Sequence, residues 1–168
     1  DGTLWIGTQG GGLDRLDTGR LTGAAVRFSH LRNDPAETNS ITSDFIRFVH
    51  KDSEGFYWIG TQGGGLDRYD AAAGRFTHYR STPGETGGLS SNYTFCIHED
   101  RQGTLWIGTW GSGLIRFDRQ AGTFTSYRAK DGLPGDAIYG ILEDREGRLW
   151  FSTNNGLGRF DPATGECK

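Results

Sequence analysis

The side chains in this sequence with the means to do chemistry are its four histidines, its two cysteines and the acids grouped near short turns. A His beside a Ser or Cys and an acid would support nucleophilic attack, and two converging carboxylates would support acid–base catalysis. His, Cys and carboxylates at close spacing would hold a metal. The sequence offers none of these arrangements. His50 and His98 hold equivalent places in one repeated segment, and His30 and His78 in another. Repetition accounts for their placement, although two of them could line a shared face. Cys96 lies in an apolar strand pattern, as a small buried hydrophobe does. Cys167 lies far from it, so the pair matches no metal spacing and does not fix the redox compartment.

Arg15/Asp17, Arg68/Asp70, Arg116/Asp118 and Arg159/Asp161 stand at i, i+2, which puts each pair on one strand face. They read as structural ion pairs or turn anchors. The acids of Asp52-Glu54, Glu99-Asp100 and Glu143-Asp144 flank turns, where Asp bonds nearby backbone N–H groups. They do not resemble a calcium loop. Gly63-Gly64-Gly65 precedes a strand rather than the helix that a phosphate cradle requires. The expectation is no catalytic residue, no metal and no cofactor.

Binding is the better prospect, and it lies where the repeats differ. At one loop position Gln9 and Gln62 give way to Trp110 and then to Asn154-Asn155. A tryptophan in a glycine-rich loop can stack on a flat ligand such as a sugar, or on a neighbouring blade or chain. The loops that open each unit carry Asn39, Ser40, Ser43, Ser90, Ser91, Asn92, Tyr93 and Tyr139, and strand alternation puts them on the same face as the Trp110 loop. The ligand-binding candidates are therefore Trp110, Gln9, Gln62, Asn154, Asn155, Asn92, Tyr93 and Tyr139.

These residues must be positioned by a repeat. DGTLWIGTQGGGLDRLD (1–17), EGFYWIGTQGGGLDRYD (54–70), QGTLWIGTWGSGLIRFD (102–118) and EGRLWFSTNNGLGRFD (146–161) match one another. Their tryptophans, Trp5, Trp58, Trp106 and Trp150, are spaced by 53, 48 and 44 residues. That period, with period-two alternation and no helical pattern, predicts an all-β chain of β-propeller blades. In the unit 44–80, strands are expected over 45–50, 56–61, 66–70 and 75–79. The same reading along the chain gives units of about 1–40, 41–88, 89–132 and 133–168 with three, four, four and three strands. Fourteen strands make about 3.5 blades, a partial propeller or one completed by oligomerisation. The four tryptophans, with Leu13, Leu66, Leu114 and Leu157 and with Phe28, Phe76 and Phe124, are expected to pack between blades. The chain opens in mid-motif without Met or a signal-peptide pattern and stops before a fourth strand of its last unit. It is therefore expected to be a segment of something longer.

Composition agrees. Apolar residues are 34%, yet there are 28 Gly, 10 Phe, 6 Tyr and 5 Trp, as suits short strands anchored by rings and joined by tight turns. The net charge of −3, with both signs interspersed, leaves no basic stripe for nucleic acid. No apolar run is long enough to span a membrane.

The units LWIGTQGGGLDRLD, YWIGTQGGGLDRYD and LWIGTWGSGLIRFD closely resemble the two-component regulator propeller repeat. Asn33-Asp34-Pro35…Ser40-Ile41-Thr42-Ser43 and Thr82-Pro83…Leu89-Ser90-Ser91-Asn92 fit its connecting pattern. The resemblance covers nearly the whole chain. It implies a periplasmic sensor segment of a bacterial membrane-anchored receptor, often a hybrid histidine kinase, with no catalysis of its own and none of the transmitter parts. Several such proteins respond to carbohydrate fragments. Implied partners are other blades or a second copy of the chain, and a carbohydrate or other small molecule. The last unit is also similar to the repeat of streptogramin lyase, a propeller enzyme, though no catalytic residue of that family can be matched. Two other functions stay open: a structural, self-assembling interaction propeller, and a lyase-like enzyme.

Overall fold

A computed structural model describes residues 2–18 and 27–168. Among these residues, fourteen strands fall into four separate antiparallel sheets. The first holds β1 (Thr3–Gly7), β2 (Leu13–Asp17) and β3 (Phe28–Leu31). The second holds β4 (Ile46–Lys51), β5 (Tyr57–Thr61), β6 (Leu66–Asp70) and β7 (Arg75–Tyr79). The third holds β8 (Thr94–Glu99), β9 (Leu105–Thr109), β10 (Leu114–Asp118) and β11 (Thr123–Tyr127). The last holds β12 (Ile138–Glu143), β13 (Leu149–Thr153) and β14 (Gly156–Phe160). Each sheet is a meander whose strands pair in chain order, and neighbouring sheets lie closest along β4, β8 and β12. These are the expected blades, three strands, then four, four and three. The last one goes slightly further than expected. Arg159 and Lys168 exchange two backbone hydrogen bonds, of 2.8 and 2.9 Å, so Cys167-Lys168 already starts a fourth strand there.

Hairpin chemistry fixes each first-to-second strand turn. Asp52 Oδ1 accepts the backbone N–H groups of Glu54 and Phe56, and its Oδ2 accepts Trp58 Nε1 at 2.7 Å. Asp100 does the same for Gln102, Thr104 and Trp106, and Asp144 for Glu146, Arg148 and Trp150. One carboxylate thus closes the turn and satisfies the donor of the blade's largest ring, which could otherwise be buried only at a cost. The strand acids are turn anchors too. Asp70 accepts from the N–H groups of Ala72 and Ala73, Asp118 from those of Gln120 and Ala121, and Asp161 from that of Ala163. Of the two readings of the Arg–Asp repeats, the turn anchor is the one realised at Asp70, Asp118 and Asp161. Three of the arginines lie over rings, Arg15 5.7 Å from the Trp5 centroid, Arg68 4.5 Å from that of Phe56 and Arg159 5.7 Å from that of Trp150.

Apolar side chains fill three seams. Trp5, Leu13 and Leu31 meet Ile46, Tyr57, Ile59 and Tyr69 of the second sheet. Trp58 and Leu66 meet Leu105, Ile107, Ile115, Phe117 and Phe124 of the third. Trp106 and Leu114 meet Ile138, Leu149, Phe151 and Phe160 of the last. Trp58 stacks on Tyr79 at 5.6 Å and meets the edge of Phe117 at 5.2 Å. The inter-blade role expected of the repeated rings therefore holds wherever a following sheet exists. At the outer faces of the end sheets it does not. Trp150 is 41% exposed and Leu157 71%, and Leu4, Ile6 and Phe28 are exposed at the other end.

A backbone lock repeats at every seam. The carbonyl of Asp44 accepts the N–H groups of Gly10 and Gly12, that of Asn92 those of Gly63 and Gly65, and that of Asp136 those of Gly111 and Gly113. Gly65 and Gly113 adopt φ of +92° and +74°, and a Cβ on either would fall 2.3 or 2.0 Å from the carbonyl of Tyr79 or Tyr127. Only glycine supplies both the left-handed backbone and the room. The carboxylate or amide oxygen of the same three residues accepts the N–H of Asn33, Ser81 or Ala129, tying down the connecting loop as well.

The loop before the second blade has a further anchor. Fully buried Asp67 accepts the N–H and hydroxyl of Thr42 on one oxygen and meets His78 Nδ1 at 2.8 Å on the other. His78 Nε2 lies 2.9 Å from the Thr38 carbonyl. The hydrogen bond to Asp67 raises the His78 pKa above its ordinary 6.5, against the opposing effect of burial. A raised histidine pKa stabilises the fold fully below the unfolded value and ceases to do so as pH rises through the folded one. The stability difference between wild type and His78→Gln in urea should therefore be larger at about pH 6 than at about pH 9. A difference that grows with pH would contradict this assignment. In the same assay Trp58→Phe, which strips a buried donor from Asp52, should cost about 2–3 kcal/mol. Trp150→Phe, on the open face, should cost less than about 1 kcal/mol.

Candidate functional site

The first strands β4, β8 and β12 each skip one residue of register, between Ile46 and Phe48, between Thr94 and Cys96, and between Ile138 and Gly140. The bulged residues are Arg47, Phe95 and Tyr139. A bulge turns its extra side chain out of the alternating pattern of the strand. Here the three turned-out residues come together with the loop residues Gln62 and Trp110.

Arg47 Nη2 donates to Gln62 Oε1, and the guanidinium sits 4.8 Å from the Phe95 ring centroid. Phe95 lies 5.5 Å from Trp110 and 6.0 Å from Tyr139, and Trp110 lies 6.0 Å from Tyr139 at 75°. The Trp110 backbone is held on both sides. Its N–H donates to the Tyr93 carbonyl at 3.0 Å, and it bridges to Ala137 of the next blade. The side chain nonetheless stays 54% exposed, and Tyr139, Tyr93 and Arg47 are exposed as well. The result is an open aromatic platform with a cation at one end, fixed by the backbone of two blades. Such a surface stacks on a ring face and bonds a polar or anionic substituent. Its side chains supply no pair of carboxylates and no nucleophile with a base.

Three of the sequence candidates, Trp110, Gln62 and Tyr139, are brought together, with Tyr93 adjoining through its carbonyl. The other four serve the seams and loops. Asn92 accepts Ser81 N–H at 2.7 Å, and Asn154 Oδ1 accepts Ala137 N–H at 3.4 Å. Asn155 donates to the Pro134 carbonyl at 3.0 Å, and Gln9 pairs through its backbone with Phe45 one blade further back. Sequence reasoning missed Arg47 and Phe95, because a bulge leaves no mark in the alternation of a short strand. The available signal was that one position of three aligned strands carries Arg, Phe and Tyr in turn.

The histidines of the first strands face acids across the seams. His50 Nε2 lies 3.8 Å from Glu99, and His98 Nε2 lies 3.6 Å from Glu143. Among the described residues no cluster of His, Cys, Asp and Glu is arranged to hold a metal ion. Burial pushes the Cys96 thiol up to about 12, consistent with an inert packing role against the Trp106 seam.

The family model for the two-component regulator propeller matches residues 88–111 and 132–155. No curated protein matches the chain. Among solved structures, the chain is similar to the extracellular domain of the hybrid two-component system BT4673 of B. thetaiotaomicron. The TM-score is 0.81 and the identity 28%, over 99% of this chain and 23% of that one. The corresponding domain of BT3049 from the same organism gives a TM-score of 0.83 at 24% identity, over 100% of this chain and 22% of that one. Virginiamycin B lyase of Staphylococcus aureus gives 0.64 at 19% identity, over 99% and 50%. The last two likenesses concern the fold alone. This chain spans less than a quarter of the two-component domains it matches. The sheet order, the recurrent Asp–Trp turns and the matched segments agree: residues 88–111 and 132–155 carry the two-component regulator propeller repeat, and the chain has the fold of propeller blades.

Proposed function

We propose that this chain is a ligand-binding part of the periplasmic sensory region of a bacterial two-component receptor, and that it binds without catalysing a reaction. The observation that carries the reading is the platform of exposed Trp110 and Tyr139 on half-buried Phe95, with Arg47 at its edge. Large rings held open to solvent by backbone locks are costly to leave uncovered unless they are used. The likeness to the extracellular domain of BT4673 supports a sensory setting. A carbohydrate fits the platform best, its apolar ring face on the tryptophan and a hydroxyl or carboxylate on Arg47. Ligand bridging β8 and β12 would bias the angle between two blades, and that preference could pass to whatever the receptor packs against.

The exposed apolar residues on the two end sheets favour a second, compatible role. Leu142, Trp150 and Leu157 at one end, and Leu4, Ile6 and Phe28 at the other, correspond to residues that are covered at the internal seams. Further blades or a second copy of the chain would cover them. A lyase reading has only the fold in its favour.

Titration of the chain with neutral and acidic oligosaccharides tests the platform. Trp110→Ala and Tyr139→Ala should each weaken binding about tenfold or more while leaving the unfolding midpoint nearly unchanged. Binding that survives both substitutions would place the ligand elsewhere.

A further inference from the structure

The seams between the second and third blades and between the third and last blades are built to the same plan but filled differently. At the first of these, Arg119 reaches back from the β10–β11 hairpin into four acceptors. Its Nε donates to the Gly103 carbonyl at 2.9 Å and its Nη1 to Asp52 Oδ2 at 2.9 Å. Nη1 also lies 3.1 Å from Glu54, and Nη2 donates to Glu99 Oε1 at 2.8 Å. The guanidinium thereby joins the Asp52–Trp58 pair to the inner strand of the next blade.

One seam further on, every acceptor has a counterpart and the arginine has none. Asp100 stands for Asp52, Gln102 for Glu54, Gly147 for Gly103 and Glu143 for Glu99, while Pro162 occupies the place of Arg119. What remains is a cleft of about 370 Å³ floored by Trp106 and lined by Asp100, Gln102, Gly147 and Pro162. Asp100 is buried and accepts Trp106 Nε1 and two backbone N–H groups, but no cation. Glu143 is the independent sign. It does not itself line the cleft; its side chain is only 6% exposed, its Oε2 accepts the Arg101 N–H at 3.2 Å, and its Oε1, the counterpart of the atom that receives Arg119, is buried without a hydrogen-bond partner. The nearest cation, Arg101 Nη1, stays 3.9 Å from it and donates to the Arg145 carbonyl instead.

We propose that this cleft is a binding site for a guanidinium group, such as an arginine side chain presented by a partner or a small guanidinium compound. The planar fork would bridge Asp100 and Glu143 and donate to the Gly147 carbonyl, as Arg119 does one seam earlier. A carboxylate buried with an unfilled acceptor is costly, and a charge-assisted donor removes that cost. The other charged groups around the cleft leave the place open. Glu146 is taken by Arg148 at 2.8 Å, and Asp161 caps its own turn. Arg116 lines the outer wall, but the structure gives it no bond to Asp100 or Glu143. His98, 3.6 Å from Glu143 Oε2, lies on the inner side.

Calorimetric titration of the whole chain with N-acetyl-arginine amide tests the site, with N-acetyl-citrulline amide as a neutral isostere. Saturable binding of the arginine probe is expected, with citrulline at least about tenfold weaker. Glu143→Gln should weaken arginine binding by a similar factor. Pro162→Arg should supply the guanidinium from within the chain, abolish binding and raise the melting temperature. Because Pro162→Arg fills the cleft rather than emptying it, it remains informative even if Glu143→Gln folds poorly. Agmatine binding as tightly as the amide would point to a free small cation, and a preference for arginine within a peptide to a polypeptide partner. Absence of saturable binding up to about 10 mM, equal binding of citrulline, or binding unchanged in Pro162→Arg would each overturn the assignment.

Discussion

Each blade is joined to the next by one backbone carbonyl that receives two glycine N–H groups, at Asp44, Asn92 and Asp136 in turn. A sheet of three or four short strands cannot bury both faces by itself, so the blades depend on being held at a fixed spacing. The double acceptance does this at the point where the chain enters a new blade, and the side chain of the same residue fixes the loop that leads there. The apolar seams then form between surfaces whose register is already set. The platform depends on the same joint, because Trp110 belongs to one of these glycine loops and the bulged first strand of the following blade begins just beyond the lock.

The repeated tryptophans show how polar and apolar requirements are met together. Trp58 and Trp106 fill their seams, and each returns its N–H to the aspartate that closes the preceding turn. Burial alone would raise the Asp52 pKa, yet the indole donor and Arg119 outweigh it and hold the carboxyl below its usual range. Trp5 Nε1 has no such partner among the described residues.

Most of the architecture was legible in the sequence because the repeat states it four times. Strands β6 and β7 fall on the expected residues, and β4 and β5 within one residue of theirs. The candidate site was legible only in part. Trp110 and Tyr139 stood out as departures from the repeat, but Asn92 resembled a rim residue while serving as the seam acceptor. Hydrogen-bond accounting of that kind requires knowing which loop passes over which strand. The bulges at Arg47 and Phe95 are likewise a property of pairing between strands. The Asp–Trp bonds span six residues of local sequence, but nothing in composition distinguishes an aspartate that caps a turn from one that also takes a ring donor.

Blades this alike face a sorting problem during folding, since any Trp-bearing face could dock on any complementary back face. The polar fittings differ enough to tell the blades apart. The second blade is fastened to its leading loop by Asp67, His78 and Thr42, whereas the third has Ile115 in place of the aspartate and a Ser90–Ser126 contact at 2.7 Å. Arg119 joins Asp52 and Glu54 of the second blade to Gly103 and Glu99 of its own. Docking against the third blade instead would set Arg119 against Asp100 and Gln102, leaving it one carboxylate short, a penalty larger than the small differences among the hydrophobic contacts. These few charged residues thus act as address labels, letting a nearly uniform series of modules assemble in a single order.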